Sequence, residues 1–248
     1  MTNSARFSWT VLLPVKVLAR AKSRLAVLAG DRRRELALAL AADTVAAVLA
    51  CPEVARVVVV TSDPVAGPLL AALGAVIVAD EPADLVARPG SLDGDAAAAG
   101  AAVPAGLVEL GVQDALNAAL RHGAAVAARR WPGTGLAALT ADLPALSPAE
   151  LALALREAAA APPRAAFVPD AAGVGTTLYA VPPGGEFRPL FGGASRARHA
   201  QSGAAELEIA DMTGLRRDVD TPDDLRAALT LGAGPRTTAL AAELLADA

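Results

Sequence analysis

The chain has 248 residues, 54% of them hydrophobic and 19% charged, so it can bury a full core and is too apolar for a disordered segment. Its 26 acidic residues outnumber its 22 basic ones, and the resulting net charge of -4 argues against a nucleic-acid-binding surface. One cysteine, Cys51, excludes an internal disulfide framework, and with only His122 and His199 to assist it a four-ligand zinc site is disfavoured.

Aromatic residues are only 3%, so the core must come from Val, Leu, Ile and Ala. No apolar run reaches the ~18 uninterrupted residues of a membrane span. The start of the chain, MTNSARFSWTVLLPVK, lacks the basic segment, apolar stretch and cleavage site of a signal peptide. The expectation is a soluble cytoplasmic protein with no membrane and no nucleic-acid partner. Only Lys16 and Lys22 are lysines among the basic residues, a bias that with so much alanine suggests a GC-rich genome.

Trp9 to Val15, bounded by Pro14, reads as a buried first strand. Lys16 to Ala29 reads as a basic, irregular loop. Asp31 is placed to cap a helix with apolar residues at Leu36, Leu40, Val45, Val48 and Leu49, ending before Pro52. The β-branched run Val54 to Thr61 predicts a second strand. Asp63-Pro64 then serves as N-cap and first position of a short helix to Leu73, and Ala75 to Ala79 is a third strand. Ala83 to Gly111 has no periodicity and reads as a long, low-complexity loop, a feature that in compact domains is usually functional or disordered.

Val112 to Trp131 reads as a helix, Leu136 to Thr140 as a fourth strand, and Ser147-Pro148 as the start of another helix. Ala165 to Val168, Thr176 to Val181 and Leu215 to Val219 are further strands, and Ser195 to Ser202 is helical. Thr221-Pro222-Asp223-Asp224 opens a capped helix to Leu231, with one more helix in the tail after Pro235. Strands alternating with helices predict an α/β fold, a mostly parallel sheet flanked by helices, as a single domain over 1–235 with a C-terminal tail at 236–248. Ligands of such sheets sit at the carboxyl ends of the strands.

Five polar segments fall at predicted strand ends. Lys16, Arg20, Lys22 and Arg24 crowd the loop after strand one; a triphosphate needs such cations, although the Gly-rich spacing of a P-loop is absent. Asp142, in LTADLPAL after strand four, is placed to bind Mg²⁺, which prefers oxygen ligands; an ordinary turn aspartate reads the same way. Asp218 and Asp220 flank Val219, and on an extended chain they share a side, where a cation would relieve their repulsion. The DAAGVGTT segment, Asp170 to Thr177, offers N–H and hydroxyl donors to an anion, or is simply a hairpin turn. In FGGASRARH, Phe191 to His199, glycines precede Ser195 at a helix start that suits an anion, with His199 read as structural.

The order LPVK, AKSRL, LN, DLPAL, GVGTT, FGGAS, His199 and DVDTP, from about Val11 to Leu231, resembles the CofC/FbiD guanylyltransferases of deazaflavin coenzyme F-420 biosynthesis. The resemblance implies a nucleotidyltransferase (GT-A/MobA-like) fold. It implies an enzyme that joins GTP to a small phosphorylated three-carbon acid and releases pyrophosphate. The Arg-for-Lys, Ala-rich composition has an actinobacterial style, which favours phosphoenolpyruvate as acceptor and enolpyruvoyl-2-diphospho-5'-guanosine as product; 2-phospho-L-lactate is the alternative. Other readings are a molybdenum-cofactor or sugar-phosphate nucleotidyltransferase, a glycosyltransferase with a DxD motif, and a non-catalytic nucleotide-binding module.

By the same resemblance, Asp142, Asp218 and Asp220 hold Mg²⁺ and, with Lys22, are catalytic. Lys16, Lys22 and Arg24 contact the triphosphate, and Leu116-Asn117 lies near the ribose and base. Thr176, Gly192 and Ser195 hold the phosphorylated acid. A homodimer is left open. The chemistry is consistent with this donor set: a phosphate monoester, with its second pKa near ~6, is already a dianion and needs alignment and charge neutralisation, not a general base.

Overall fold

The computed structural model describes residues 7–15, 23–80, 105–160 and 165–246. Its strands are β1 (Trp9–Pro14), β2 (Val54–Val60), β3 (Val76–Val78), β4 (Gly135–Leu139), β5 (Ala166–Pro169), β6 (Thr176–Val181) and β7 (Ala205–Glu206). They form one seven-stranded sheet in the order β3-β2-β1-β4-β6-β5-β7. β1 pairs in parallel with β2 and β4, and β2 with β3, whereas β6 runs antiparallel to both β4 and β5. The mostly parallel α/β sheet expected from the sequence is therefore present.

The helices are α1 (Ala26–Ala29), α2 (Arg33–Leu49), α3 (Ala66–Ala72), α4 (Ala105–Arg130), α5 (Pro148–Ala160), α6 (Ser195–Gln201), α7 (Thr213–Arg216), α8 (Pro222–Leu231) and α9 (Pro235–Ala246). No helix among the described residues is long and apolar enough to cross a membrane.

Alternation along the strands builds two cores. Val11, Leu13, Val57, Val59, Ala137 and Leu139 face one layer, with Val45, Val48, Leu151 and Leu155 of α2 and α5. Leu12, Val58, Val60, Ala138 and Tyr179 face the other, with Leu120 and Ala124 of α4. Both faces are thus covered, as parallel strands require. A third cluster, including Leu36, Leu40, Leu225, Leu240 and Leu244, packs α2 against α8 and α9. Helix α2 is consequently buried on two sides, which accounts for its apolar residues all round.

Several boundaries differ from those read in the sequence. Part of the basic loop predicted over Lys16 to Ala29 is helical: a 3-10 turn at Ser23–Leu25 leads into α1, while residues 16–22 lie outside the described ones. Asp31 sits within a 3-10 turn and does not cap α2, whose N-cap position is Arg32. Helix α4 begins at Ala105, so the last residues of the predicted 83–111 loop are helical; residues 83–104 of it lie outside the described ones. The strand predicted over Leu215 to Val219 is instead α7 followed by an extended, unladdered segment, and β7 was not anticipated.

The helix anticipated after Pro235 is α9, and its docking turns on one carboxylate. Asp43 of α2, 4% exposed, accepts hydrogen bonds from the Thr237 N–H at 2.7 Å and the Arg236 N–H at 3.3 Å. It caps from another helix the N–H groups that the first turn of α9 cannot satisfy internally. Asp43→Ala should lower unfolding stability by about 2 kcal/mol, combining a lost cap with buried donors left unmet. A urea-unfolding midpoint equal to that of the wild type would show that α9 docks without it.

Candidate active site

The sheet order reverses direction between β1 and β4, and in open α/β sheets such a switch point leaves a crevice at the carboxyl ends of the strands. Their parallel register pairs Leu12 with Ala138, so the chain leaves both strands at the same edge. After β4 it continues through Thr140 and Ala141 to Asp142. The next residue is fixed from α2, where the buried Thr44 hydroxyl accepts from the Leu143 N–H at 2.9 Å and donates to the Leu40 carbonyl at 2.8 Å.

The segment carrying Asp218 and Asp220 is brought to this point by the backbone. The Val219 N–H donates to the Asp142 carbonyl at 3.1 Å. Val219 is fully buried, while Asp218 and Asp220 on either side of it are not. This matches the alternation expected of an extended chain, with both carboxylates turned from the core. Upstream, Glu150 accepts from the Gly214 N–H at 3.0 Å, and a Cβ on Gly214 would stand 2.1 Å from the Ala145 carbonyl oxygen. Only glycine allows α7 to seat so closely. Downstream, Thr221 and Asp224 form a reciprocal capping box for α8 that does not use the Asp220 side chain.

Thr176 opens β6 at the same edge. Its antiparallel register with β4 pairs Leu178 with Leu139 and, extended by one step, joins the Thr140 N–H to the Thr177 carbonyl at 3.0 Å. Thr176 is the residue next to that bond on β6, and Asp142 lies two residues past it on the other side. Asn117 of α4, also buried, grips the loop before Gly192 from the other side. Its amide accepts from the Phe191 N–H at 2.9 Å and donates to the Phe191 carbonyl at 3.1 Å. Arg198 donates to the carbonyls of Phe191 and Gly192. Gly192 and Gly193 both have positive φ, 97° and 45°, which the turn into α6 requires. Ser195, 1% exposed, follows as the first residue of α6.

Donor groups in the two segments read from the sequence as suited to an anion are committed elsewhere. The Val174 and Gly175 N–H groups donate to the Asp170 carboxylate at 2.9 and 2.8 Å, so the DAAGVG segment is a hairpin turn closed by its own aspartate. Arg196 donates to both oxygens of Glu206, at 3.0 and 2.7 Å, and to the Gly173 carbonyl at 3.1 Å, tying α6 to β7 and the turn. The Ser195 N–H donates to the Gly193 carbonyl at 2.8 Å. Among the described residues the positive groups of FGGASRARH thus build the loop instead of facing a ligand.

His199 is fully buried, stacked on Tyr179 with ring centroids 4.7 Å apart and flanked by Phe167 and Phe191. Its Nε2 accepts from the Leu190 N–H at 2.9 Å, and its Nδ1 lies 3.0 Å from the Thr176 hydroxyl. Burial above all, with the neighbouring Arg198 charge, pulls its pKa down to about 4, against a smaller opposing pull from the Ser195 carbonyl. The ring is therefore neutral at pH 7.

Lys16 and Lys22 lie outside the described residues. Arg24 is exposed on the 3-10 turn before α1. Among the described residues, no group of three or more His, Cys, Asp or Glu side chains is gathered closely enough to hold a metal ion as it stands. The fold brings the Asp142 and Asp218–Asp220 backbones together without drawing their carboxylates into one cluster. Sequence reading missed Thr44, Glu150 and the clamping roles of Arg198 and Asn117. Only Glu150 left a local sign, in the Ser147-Pro-Ala-Glu150 spacing of a capping box, where Glu150 also accepts from the Ser147 N–H at 3.2 Å.

The fold is that of nucleotidyltransferases. The structure resembles that of a putative nucleotide-diphospho-sugar transferase from Desulfovibrio desulfuricans, with a TM-score of 0.53 and 13% identity over 90% of this chain and 96% of that one. It also resembles a nucleotidyl transferase from Methanothermobacter, with a TM-score of 0.50 and 17% identity over 91% and 97% of the two chains. At such identities the likeness is one of fold alone. No family model matches the chain. Individual relatives are much closer. Proteins named phosphoenolpyruvate guanylyltransferase are 53% identical in Thermomonospora curvata, over 98% of this chain and 92% of theirs, and 56% identical in Streptomyces avermitilis, over 96% and 95%. One in Streptomyces coelicolor is 53% identical over 96% and 97%. The chain belongs to this phosphoenolpyruvate guanylyltransferase (CofC/FbiD) family.

The depressed pKa of His199 has a thermodynamic consequence. Below the unfolded-state pKa near 6.5 the unfolded chain takes up a proton that the native ring refuses, until the native pKa of about 4 is reached. The His199 contribution to stability should thus be whole above about pH 6.5 and fall by roughly 1 kcal/mol per pH unit from there towards pH 4. Unfolding free energies over this range should be flatter in His199→Gln than in the wild type; parallel curves would mean that the native ring titrates normally.

Proposed function

We propose that this chain is a phosphoenolpyruvate guanylyltransferase. In this reading it joins GTP to phosphoenolpyruvate and releases pyrophosphate, forming enolpyruvoyl-2-diphospho-5'-guanosine in coenzyme F-420 biosynthesis. The observation that carries it is identity of 53% and 56%, across nearly the whole length of both partners, to proteins of that name. The geometry supports it: the edge where the Val219 N–H meets the Asp142 carbonyl is also the edge where β6 begins at Thr176.

The roles assigned in this reading are those that the family resemblance implies. Thr176, Gly192 and Ser195 hold the phosphorylated acid, which enters as a dianion. Lys16, Lys22 and Arg24 hold the triphosphate, and Leu116-Asn117 lies near the ribose and base. Since the Asn117 amide already grips Phe191, its part is to set the Gly192 loop between the two substrates. A phosphate oxygen of the acid forms a bond to the α-phosphorus of GTP as the bond to the β-phosphate breaks, and the electron pair leaves with pyrophosphate. No proton need be removed from the nucleophile.

Asp142, Asp218 and Asp220 would hold Mg²⁺. Their all-oxygen donor set suits that ion, and the Val219–Asp142 backbone bond keeps their segments together. When bound, the ion supplies charge neutralisation and alignment of the phosphates.

The test is a screen of nucleotides against phosphorylated acids, with Mg²⁺, pyrophosphate detection and mass analysis of the product. GTP with phosphoenolpyruvate should give the coupled product. No turnover with any pair would defeat the enzyme assignment, and preference for 2-phospholactate would move the acceptor. Asp218→Asn should lower metal-dependent turnover by roughly a hundredfold or more with the fold intact; near-normal activity would remove this residue from the metal site. Ser195→Ala should mainly raise the KM for the acid, whereas an effect confined to GTP would mean the two half-sites are exchanged.

A further inference from the structure

The buried His199 imidazole connects two segments that the acid would touch. One ring nitrogen meets Thr176 at the head of β6, and the other meets the backbone at Leu190, two residues before Gly192. These bonds determine the tautomer. A backbone N–H can only donate, so Nε2 must offer a lone pair to Leu190 and the ring proton must sit on Nδ1. Nδ1–H in turn leaves Thr176 only one part in their 3.0 Å contact, that of acceptor. The Thr176 hydroxyl hydrogen is then turned away from His199.

We propose that His199 is a positioning residue of the acid-binding half-site, holding Thr176 as an outward-facing hydroxyl donor while fixing the backbone that leads into Gly192. The proposal rests on the reading that Thr176 binds the phosphorylated acid. A phosphate or carboxylate accepts hydrogen bonds and donates none when ionised, so a threonine locked as donor is matched to it. A threonine free to rotate would also accept from other groups and would need ordering when the acid binds. Packing immobilises the ring in this orientation, with Tyr179 stacked on one face at 4.7 Å and Phe167 and Phe191 each 5.5 Å away. The downward shift of its pKa agrees with a ring kept neutral, the only state in which Nε2 can accept.

Two measurements on the full-length protein test this. The first is the ¹⁵N spectrum of the histidine rings at neutral pH. His122 is the only other histidine in the chain, so a His122→Gln variant assigns the signals. His199 should show a protonated Nδ1 and an unprotonated Nε2; the opposite tautomer, or an imidazolium, overturns the proposal without reference to activity.

The second is steady-state kinetics of pyrophosphate release from GTP and phosphoenolpyruvate. The variants are Thr176→Val, His199→Asn, His199→Gln and the Thr176→Val/His199→Asn double variant. Thr176→Val should raise the KM for the acid roughly tenfold, the worth of one hydrogen bond to an ionised group. His199→Asn retains an N–H near the Nδ1 position, while His199→Gln extends instead towards the Nε2 position. The acid KM should therefore rise less in the Asn than in the Gln variant, with the KM for GTP within about twofold of wild type in both. In the double variant, His199→Asn should add less than about twofold to the effect of Thr176→Val, because the two residues act as a unit.

Effects of His199 that multiply those of Thr176, or that raise both KM values alike, would reduce the histidine to a packing residue. An unchanged acid KM in Thr176→Val would remove the acid from that hydroxyl and the proposal with it, while wild-type turnover would still stand as evidence for the enzyme. Absence of wild-type turnover would defeat the functional reading itself.

Discussion

One backbone hydrogen bond, from the Val219 N–H to the Asp142 carbonyl at 3.1 Å, closes the carboxyl edge of the sheet. It joins the DLPAL turn directly to the DVD segment, which lies far from it in the chain. The fold supports it on every side. Thr44 fixes Leu143, and Glu150 holds the Gly214 N–H. Arg216 donates to the carbonyls of Pro169 and Asp170 at 3.1 and 3.0 Å. Each supporting group is at least partly buried and hydrogen-bonded, so its loss would leave a desolvated partner unsatisfied. The backbone thus brings the segments that carry Asp142, Asp218 and Asp220 to one edge.

Beyond β6, where β4 meets an antiparallel neighbour, the design changes character. The loop from Leu190 to Gly193 has positive-φ glycines and no ladder of its own, so side chains from other elements must satisfy its backbone. Asn117 bonds both polar groups of Phe191, Arg198 takes the carbonyls of Phe191 and Gly192, and His199 accepts from Leu190. Helix α4 and helix α6 thereby hold one loop between them. A loop tied on both sides is suited to present fixed N–H and hydroxyl groups to a small anion, where a freely moving one would have to be ordered first.

What was legible in the sequence was what local chemistry decides. A β-branched run marked β2, and the Thr221 and Asp224 spacing marked the start of α8, because caps and strand preference act over a few residues. The Leu215 to Val219 run looked like a strand for the same reason. It failed because Gly214 closes on Ala145 and Glu150, partners distant in sequence that pull Thr213–Arg216 into a helical turn. The Asp170 turn was half legible. An aspartate ahead of Gly-Val-Gly is a known way to close a turn, yet the glycines alone suggested free donors. Asn117 was legible as a polar residue in a helix and not as a clamp, since nothing nearby in the chain names Phe191 as its partner.

Charge was the least legible property of all. The helix start at Ser195 suited an anion, and Arg196 and Arg198 follow it in the sequence. Arg196 instead makes a two-pronged pair with Glu206, and Arg198 reaches back to carbonyls of its own loop. A guanidinium presents several donors in a fixed plane, which makes it as suitable for fastening backbone carbonyls as for holding phosphate. Composition cannot separate those uses. A net charge of -4 also means that cations for a triphosphate must be concentrated locally, and the chain's two lysines both fall in the Lys16 to Arg24 segment that follows β1. Strand β1, which that segment follows in the sequence, ends at the switch point beside β4, on the edge of the carboxylate-bearing turns. A site that places acidic groups beside a polyanion is unfavourable unless a divalent cation stands between them, and this electrostatic demand is the physical argument behind the proposal of Mg²⁺ at Asp142, Asp218 and Asp220.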